Sequence, residues 1–422
     1  MRDDRLPAPH PPFYLPTRSA PGLLPRRPPR REWPAGVLRP NCPPHRPLKR
    51  YAAFDPPEYR NWQPDGVLVR EYRRRIEKDP ERSGVVRQLT TDRLLDLYRD
   101  LLLTRLQDIG LKRWVRQGVI SKAWLGVGEE AVTVGCVAAL EPDRDVVIPM
   151  IRNAGAGHMM GLPLVHGFTS YLATADSPSA GRDFHYGDVA EGVIQPVSHM
   201  GTSVPVAAGA ALAFKNRGED RVALTWTGDG ATRTAACHEG LVFASRLRVP
   251  VIIVIQDNQV ALGTRVDQHG AGRPEDVPAA HGIAPLLCDG NNLLDVYAAT
   301  TLARRQCVRG DGPTVVVAET FRMGGHATHD EREARETFAA DLFEHWGRRD
   351  PVGLFESYLL EEGIAVETLA EVEAHATEAV EHAAEEALAS RDDRPPPEHA
   401  LYPGISEGGV LHGLAARLAV RG

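Results

Sequence analysis

Leu224-Thr-Trp-Thr-Gly-Asp-Gly-Ala-Thr232 and Ile252-Ile-Val-Ile-Gln-Asp-Asn-Gln259 are the two stretches on which the fold turns. Arg221 to Trp226 is a short β-branched and aromatic run, Gly228-Asp229-Gly230 breaks it as a turn, and Val249 to Ile255 is almost wholly apolar. Each run reads as a strand. Between them Ala235, Ala236, Leu241, Ala244 and Leu247 recur on one side, with His238, Glu239, Arg246 and Arg248 on others, which predicts a helix over Thr232–Leu247. Strand, helix and strand in succession form a right-handed crossover between parallel, neighbouring strands.

That geometry places Asp229 and Asn258 at the carboxyl-terminal edge of one sheet, where doubly wound folds hold ligands. A helix starting near Thr232 aims its free N–H groups and the positive end of its dipole at the same crevice. A carboxylate, an amide oxygen and a helix N-terminus together suit a divalent metal bridging to a diphosphate, since magnesium prefers hard oxygen ligands and commonly takes some from phosphate. A lone Gly-Asp-Gly is more often a surface turn; its place at the end of a complete crossover argues for a site.

Gly228-Asp-Gly-Ala-Thr, His238-Glu-Gly-Leu, Pro250-Val-Ile-Ile-Val-Ile-Gln-Asp-Asn-Gln and Ala261-Leu-Gly-Thr264 resemble the thiamine-diphosphate-dependent enzymes, in particular the alpha subunits of the 2-oxo acid dehydrogenases of the pyruvate, branched-chain and acetoin types. The resemblance covers roughly Arg87 to Pro351. It implies an α/β thiamine-diphosphate-binding fold with a doubly wound parallel sheet flanked by helices. It also implies a cofactor site at Gly228, Asp229, Gly230, Ala231 and Asn258, with Mg2+ held by Asp229, Asn258 and the Val260 carbonyl.

Composition fits a soluble α/β protein. The 422 residues are 42% hydrophobic and 6% aromatic, and a net charge of −7 gives no sign of nucleic-acid binding. Cys42, Cys136, Cys237, Cys288 and Cys307 show no Cys-x-x-Cys spacing and read as reduced thiols of a cytoplasmic protein. No apolar run approaches bilayer-spanning length. Residues 1–60 are rich in proline and arginine and poor in acid, which predicts an extended arm, solvated or lying across a partner. Residues 61–390 form the diphosphate-binding domain with its helical extensions, and 391–422 a tail.

From Thr90, Leu94, Leu95, Tyr98, Leu101, Leu102 and Leu106 predict a helix with Asp92 helping to cap it. A second helix is expected from Gly128 to Leu140, with Glu129 and Glu130 as ordinary dipole partners in its first turn. Asp145 to Gly157 reads as a strand running into a glycine-rich turn. There Arg152 is similar to the family arginine that reaches a terminal phosphate, a role suited to a bidentate guanidinium. The family usually has tyrosine just before it; Ile151 here implies one phosphate hydrogen bond fewer.

Gly181-Arg-Asp-Phe-His-Tyr-Gly187 is more similar to the branched-chain members than to the pyruvate members. The small-residue run after Pro205 predicts a tightly packed helix. By resemblance Ser198 and Met200 lie against the aminopyrimidine ring, whereas Met200 read alone is a core residue. Thr314 to Thr320 is a further parallel strand, ending at Phe321-Arg-Met-Gly-Gly-His-Ala-Thr-His-Asp330. A loop histidine is usually just solvated, but the resemblance makes His326 a phosphate contact and active-site proton donor, with Arg322 in support. The family's first loop histidine is absent at Gly324 or Gly325, the phosphorylated serine of mammalian members is Ala327, and Thr328 remains. Asp257 replaces the first asparagine of the usual pair and adds negative charge; Val260 stands where tyrosine is common. Helices follow from Phe338 onward.

The resemblance implies oxidative decarboxylation of a small 2-oxo acid, branched-chain or pyruvate, and acyl transfer to the lipoyl group of an acyltransferase partner, the cofactor supplying the electron sink. The family's glutamate against the aminopyrimidine comes from a beta subunit, so the site lies at a subunit interface in an α2β2 tetramer. An acetoin dehydrogenase alpha subunit would look nearly the same. A non-catalytic metal- and nucleotide-binding regulatory module is the reading from another class, motivated by Ile151, Asp257 and Gly325.

Overall fold

The computed structural model describes residues 53–270 and 272–395. Its centre is a five-stranded, wholly parallel sheet of β1 (Val146–Ile148), β2 (Ala223–Gly228), β3 (Val251–Asp257), β4 (Pro285–Asp289) and β5 (Thr314–Glu319), in the order β1-β2-β3-β5-β4. The two strands of the organising crossover are therefore neighbours, in a register that pairs Gly228 with Gln256. β4 was not read from the sequence; it is one of the two edge strands and only partly buried.

Every residue of β3 is buried, as a central parallel strand covered on both faces demands. Alternate residues face alternate layers. Ile252, Val254, Leu224 and Trp226 pack under α4 (Glu130–Ala138) and α7 (Leu293–Val308), meeting Val132, Cys136, Val296 and Ala299. Ile253, Ile255 and Ala223 pack on the opposite side, under α5 (Ser203–Arg217) and α6 (Ala235–Leu247), meeting Ala207, Ala208, Ala211 and Leu241. The small side chains of α5 allow the close approach expected of that run.

A helical layer lies outside α4. It contains α1 (Gly66–Glu77), α2 (Pro80–Val86), α3 (Thr91–Arg116), α8 (Pro351–Glu361) and α9 (Val366–Ala389), joined by one apolar cluster through Leu97, Leu101, Ile109, Phe355 and Val380. Asp92 is not the cap of α3: Thr90 takes that place, its hydroxyl accepting from Arg93 N at 3.2 Å. Pro57–Arg60 forms a short helix with Tyr59 buried, so the end of the expected arm belongs to the folded body. The arm's residues 1–52 and the tail beyond 395 lie outside the described residues, as does Cys42. Cys136, Cys237, Cys288 and Cys307 are buried and unpaired. Among the described residues no helix is long and apolar enough to cross a membrane.

The two glutamates at the start of α4 are not solvated dipole partners; both are 1% exposed. Glu130 receives Arg105 Nε of α3, whose Nη2 donates to Asp350 Oδ1 at 3.0 Å, at the N-cap of α8. Arg105 is itself fully buried beneath the Tyr59 ring, 4.8 Å from its centroid. A buried charge of this kind is tolerable only where partners surround it.

Candidate functional site

Asp229 and Asn258 emerge side by side beyond the carboxyl ends of β2 and β3. Gly228 is the last residue of β2, and Gly230–Arg233, containing Ala231, forms a 3-10 turn rather than the start of the helix. α6 begins only at Ala235, with Thr234 Oγ1 accepting from Cys237 N at 3.3 Å. The expected start at Thr232 is thus corrected by one short turn, and it is that turn which borders the crevice. Thr234 favours the break because its hydroxyl caps the helix only from an extended backbone. Gly230 is needed for close approach: a Cβ there would lie 2.3 Å from Ala261 Cβ.

Asp229 is 2% exposed; Oδ1 accepts from Gly230 N at 2.8 Å, while Oδ2 is buried without a hydrogen bond. Asn258 donates through Nδ2 to Glu129 Oε1 at 2.8 Å, and its Oδ1 accepts from Val260 N at 3.3 Å. Val260 begins a two-residue hairpin arm flanked by Gln259 and Leu262, both at positive φ (71° and 57°). Left-handed backbone at such side chains persists where surrounding contacts fix it. Here Arg322 Nη2 donates to Leu262 O at 2.7 Å, which pins the hairpin.

Glu129 is the residue that sequence reasoning undervalued. Its Oε1 accepts from both Gln256 Nε2 (2.6 Å) and Asn258 Nδ2 (2.8 Å), and Gln256 Oε1 accepts in turn from Asn153 Nδ2 at 3.0 Å. Because a carboxylate only accepts, it dictates that both amides present nitrogen to it. The Asn258 oxygen is thereby turned away from Glu129. A chain of polar side chains so runs under the crevice, from Asn153 beside Arg152 to the end of β3. The only sequence signal for it was two acids at a helix start inside an otherwise apolar stretch.

Arg152 and His326 are brought together from 174 residues apart. Arg152 Nη1 donates to Leu125 O at 2.7 Å, and Nη2 reaches both the His326 carbonyl and His326 Nδ1, the latter at 2.9 Å. The segment expected as a glycine-rich turn is instead a 3-10 turn, Ile151–Asn153, followed by the helix Gly155–Met160. Burial, then the charges of Arg152 and Arg322, hold the His326 imidazole down at about 4. Arg322 is itself lowered to about 10, chiefly by burial. His326 is accordingly neutral near pH 7.

The crevice therefore has an acidic side and a basic side. Burial raises Asp229, and burial followed by the neighbouring Asp229 and Glu319 raises Asp257 to about 7. Asp229 Oδ2, Asp257 Oδ1 and Glu129 Oε2 are all buried without hydrogen bonds. Unsatisfied buried carboxylate oxygens are costly and are satisfied by a cation. Opposite them stand the cationic side chains Arg152 and Arg322 and the imidazole of His326. A divalent ion together with a diphosphate fits this division of charge. Among the described residues no group of three or more His, Cys, Asp or Glu side chains is arranged around a metal position; the expected ligands are instead one carboxylate, one amide and one backbone carbonyl.

Ser198 and Met200 lie apart from these groups in character. Both are exposed, Met200 by 58%, so its reading as core is corrected. They sit in the irregular segment leading into α5. Ile151, in place of tyrosine, lines an apolar cavity of about 40 Å³ with Trp124, Tyr171, Phe184 and Tyr186. Phe184, from the Gly181–Gly187 loop, stacks between Trp124 and Tyr171 at centroid distances of 5.1 and 5.6 Å.

The family model described as Dehydrogenase E1 component matches residues 98–396. The chain is 32% identical over 314 residues to the pyruvate dehydrogenase E1 component subunit alpha of Bacillus cereus, covering 73% of this chain and 80% of that protein. It is 32% identical over 280 residues to the mitochondrial 2-oxoisovalerate dehydrogenase subunit alpha of Mus musculus, covering 65% of this chain and 62% of that one. It is also 30% identical to the 2-oxoisovalerate dehydrogenase subunit alpha of Bacillus subtilis (strain 168), covering 65% and 84%.

Proposed function

Because the chain belongs to the dehydrogenase E1 component family, we propose that it is the alpha subunit of a 2-oxo acid dehydrogenase, an oxidoreductase that decarboxylates a short aliphatic 2-oxo acid. The family implies thiamine diphosphate as cofactor and a beta subunit as partner. The observation that carries the reading is the meeting of Asp229, Asn258 and Glu129 with Arg152 and His326 at the carboxyl edge of β2 and β3.

Bound there, thiamine diphosphate supplies the electron sink that lets carbon dioxide leave the 2-oxo acid. In our reading Asp229, Asn258 and the Val260 carbonyl hold Mg2+, and Glu129 keeps the Asn258 oxygen turned towards it. Gly228, Gly230 and Ala231 give the close backbone approach on that side. Arg152 binds and orients a terminal phosphate, with Arg322 holding the hairpin beside it. His326 contacts phosphate and holds a proton on Nε2, because Nδ1 accepts from a guanidinium that can only donate.

Ser198 and Met200 project from this chain towards the remaining part of the cofactor, where a beta subunit completes the site. Their exposure in the single chain supports an interface position, and an α2β2 assembly would serve it. The apolar lining of the cavity beside Ile151, with Trp124, Tyr171, Phe184 and Tyr186, supports a substrate with an aliphatic side chain. The Gly181–Gly187 loop lining it favours a branched-chain 2-oxo acid over pyruvate, with passage of the acyl group to a lipoyl-bearing acyltransferase in the cytoplasm.

The test is 2-oxo acid-dependent reduction of an artificial electron acceptor by this chain co-expressed with its beta subunit. Pyruvate, 2-oxoisovalerate and acetoin are compared with and without thiamine diphosphate and Mg2+. Cofactor-dependent turnover fastest with 2-oxoisovalerate is expected. Turnover with acetoin alone would assign the acetoin branch, and silence with all three from a folded complex would overturn the catalytic reading in favour of a regulatory module.

A further inference from the structure

We infer that His269 is a further ligand of the cation site, its Nε2 joining Asp229, Asn258 and the Val260 carbonyl, and that it biases the site towards borderline divalent ions such as Co2+ relative to Mg2+. The inference rests on the proposed reading of Asp229 as a metal ligand.

His269 ends the four-residue helix Val266–His269, in the segment that follows the hairpin. Its side chain is 12% exposed, and Nε2 stands 3.6 Å from Asp229 Oδ2. That is too far for a hydrogen bond. Nδ1 and Nε2 of His269 and Oδ2 of Asp229 are all buried with no hydrogen-bond partner. An imidazole nitrogen and a carboxylate oxygen thus face each other in a long ion contact, and neither is satisfied by a hydrogen bond. Two donors on one ion, each at about 2.0–2.2 Å from it, stand roughly 3 to 3.6 Å apart, so the observed 3.6 Å leaves room for a cation between them.

The placement is built by the fold. Arg233, at the end of the turn that carries Asp229, donates through Nη2 to Gly272 O at 2.9 Å. The same guanidinium occupies the space beside Gly270, where a Cβ would lie 2.1 Å from Nη2. A side chain at Gly270 would displace this guanidinium from its contact with Gly272 O, and that contact ties the segment carrying His269 to the turn that carries Asp229.

The consequence is chemical. Carboxylate, carbonyl and phosphate oxygens suit magnesium, whereas an imidazole nitrogen raises affinity for later first-row ions. The rival account is that His269 is merely a counter-ion for Asp229 when no metal is bound, and swings away on loading.

The experiment uses the full chain co-expressed with its beta subunit, freed of metal and saturated with thiamine diphosphate. Mg2+ and Co2+ are titrated separately by calorimetry, and the visible absorption of bound Co2+ is recorded. His269→Gln is expected to weaken Co2+ by at least about tenfold, to shift the Co2+ bands, and to change Mg2+ affinity by less than about twofold. Equal unfolding midpoints of wild type and variant in chelator establish that the variant is folded. Unchanged Co2+ affinity and spectrum in His269→Gln, with binding lost in Asp229→Asn, would overturn the His269 assignment alone. Binding of both ions unchanged in Asp229→Asn would remove the crevice as the cation site and the proposed function's metal set with it.

Discussion

Arg152 Nη2 lies 2.9 Å from His326 Nδ1, so a guanidinium is hydrogen-bonded to an imidazole that burial, and then this charge, keep from protonating. Arg152→Gln removes that charge. The His326 pKa should then rise from about 4 towards its ordinary 6.5, as followed by the ring proton shifts in an NMR titration. No movement would show that burial and Arg322 set it without Arg152. Thiamine diphosphate should bind weaker by about 1.5–3 kcal/mol, the contribution of a hydrogen bond to a charged group, as calorimetry on the assembled complex would report.

Glu129→Ala takes the shared acceptor from Gln256 and Asn258. The Asn258 oxygen is then held only by its long hydrogen bond from Val260 N. The Mg2+ concentration needed for half-maximal thiamine diphosphate binding should rise by about tenfold, as is usual when a residue supporting a metal ligand is lost. An unchanged midpoint would make Glu129 purely structural.

Arg105→Met should destabilise the chain far more than the loss of a surface ion pair. Glu130 and Asp350 would be left buried without their cation, at a cost of roughly 3–5 kcal/mol. Urea unfolding gives the value directly. A loss below about 1 kcal/mol, typical of exposed pairs, would show that the network is hydrated.

Asp108, buried on α3 with Oδ2 accepting from Gly126 N at 2.7 Å, is pushed up from 3.8 to about 8 chiefly by burial. A carboxyl raised on folding gives its full stability below the unfolded pKa and loses it as pH rises through the folded value. Wild type should therefore lose stability relative to Asp108→Asn between about pH 4 and 8. Unfolding midpoints of the two proteins at pH 5 and pH 8 check this; a gap that does not widen with pH would contradict it.

The parts of the fold carried by local pattern were legible. Strands β2 and β3 with the helix between them show as apolar runs of differing period, and their ends place Asp229 and Asn258 before any tertiary contact is known. β4 escaped because Pro285–Asp289 is an edge strand with mixed burial and no clean alternation. Glu129 and His269 escaped for another reason. An acid in a first helical turn and a histidine in a loop have the same sequence surroundings whether solvated or turned inward, and only α4 docking on β3 and Arg233 lying against Gly270 decide which. Met200 erred in the opposite direction, since an apolar residue reads as core whether or not its own chain covers it.

The hydrogen bonds from Gln256 and Asn258 to Glu129 span 127 and 129 positions of chain. Contacts of such separation form late, after the entropy of closing a long loop has been met. A chain with β2 and β3 paired but α4 not yet docked would carry Asp229 and Asn258 with the asparagine amide still free to turn. Docking of α4 is thus the step that completes the geometry of the crevice, joining Glu129, at the start of α4, to the end of β3.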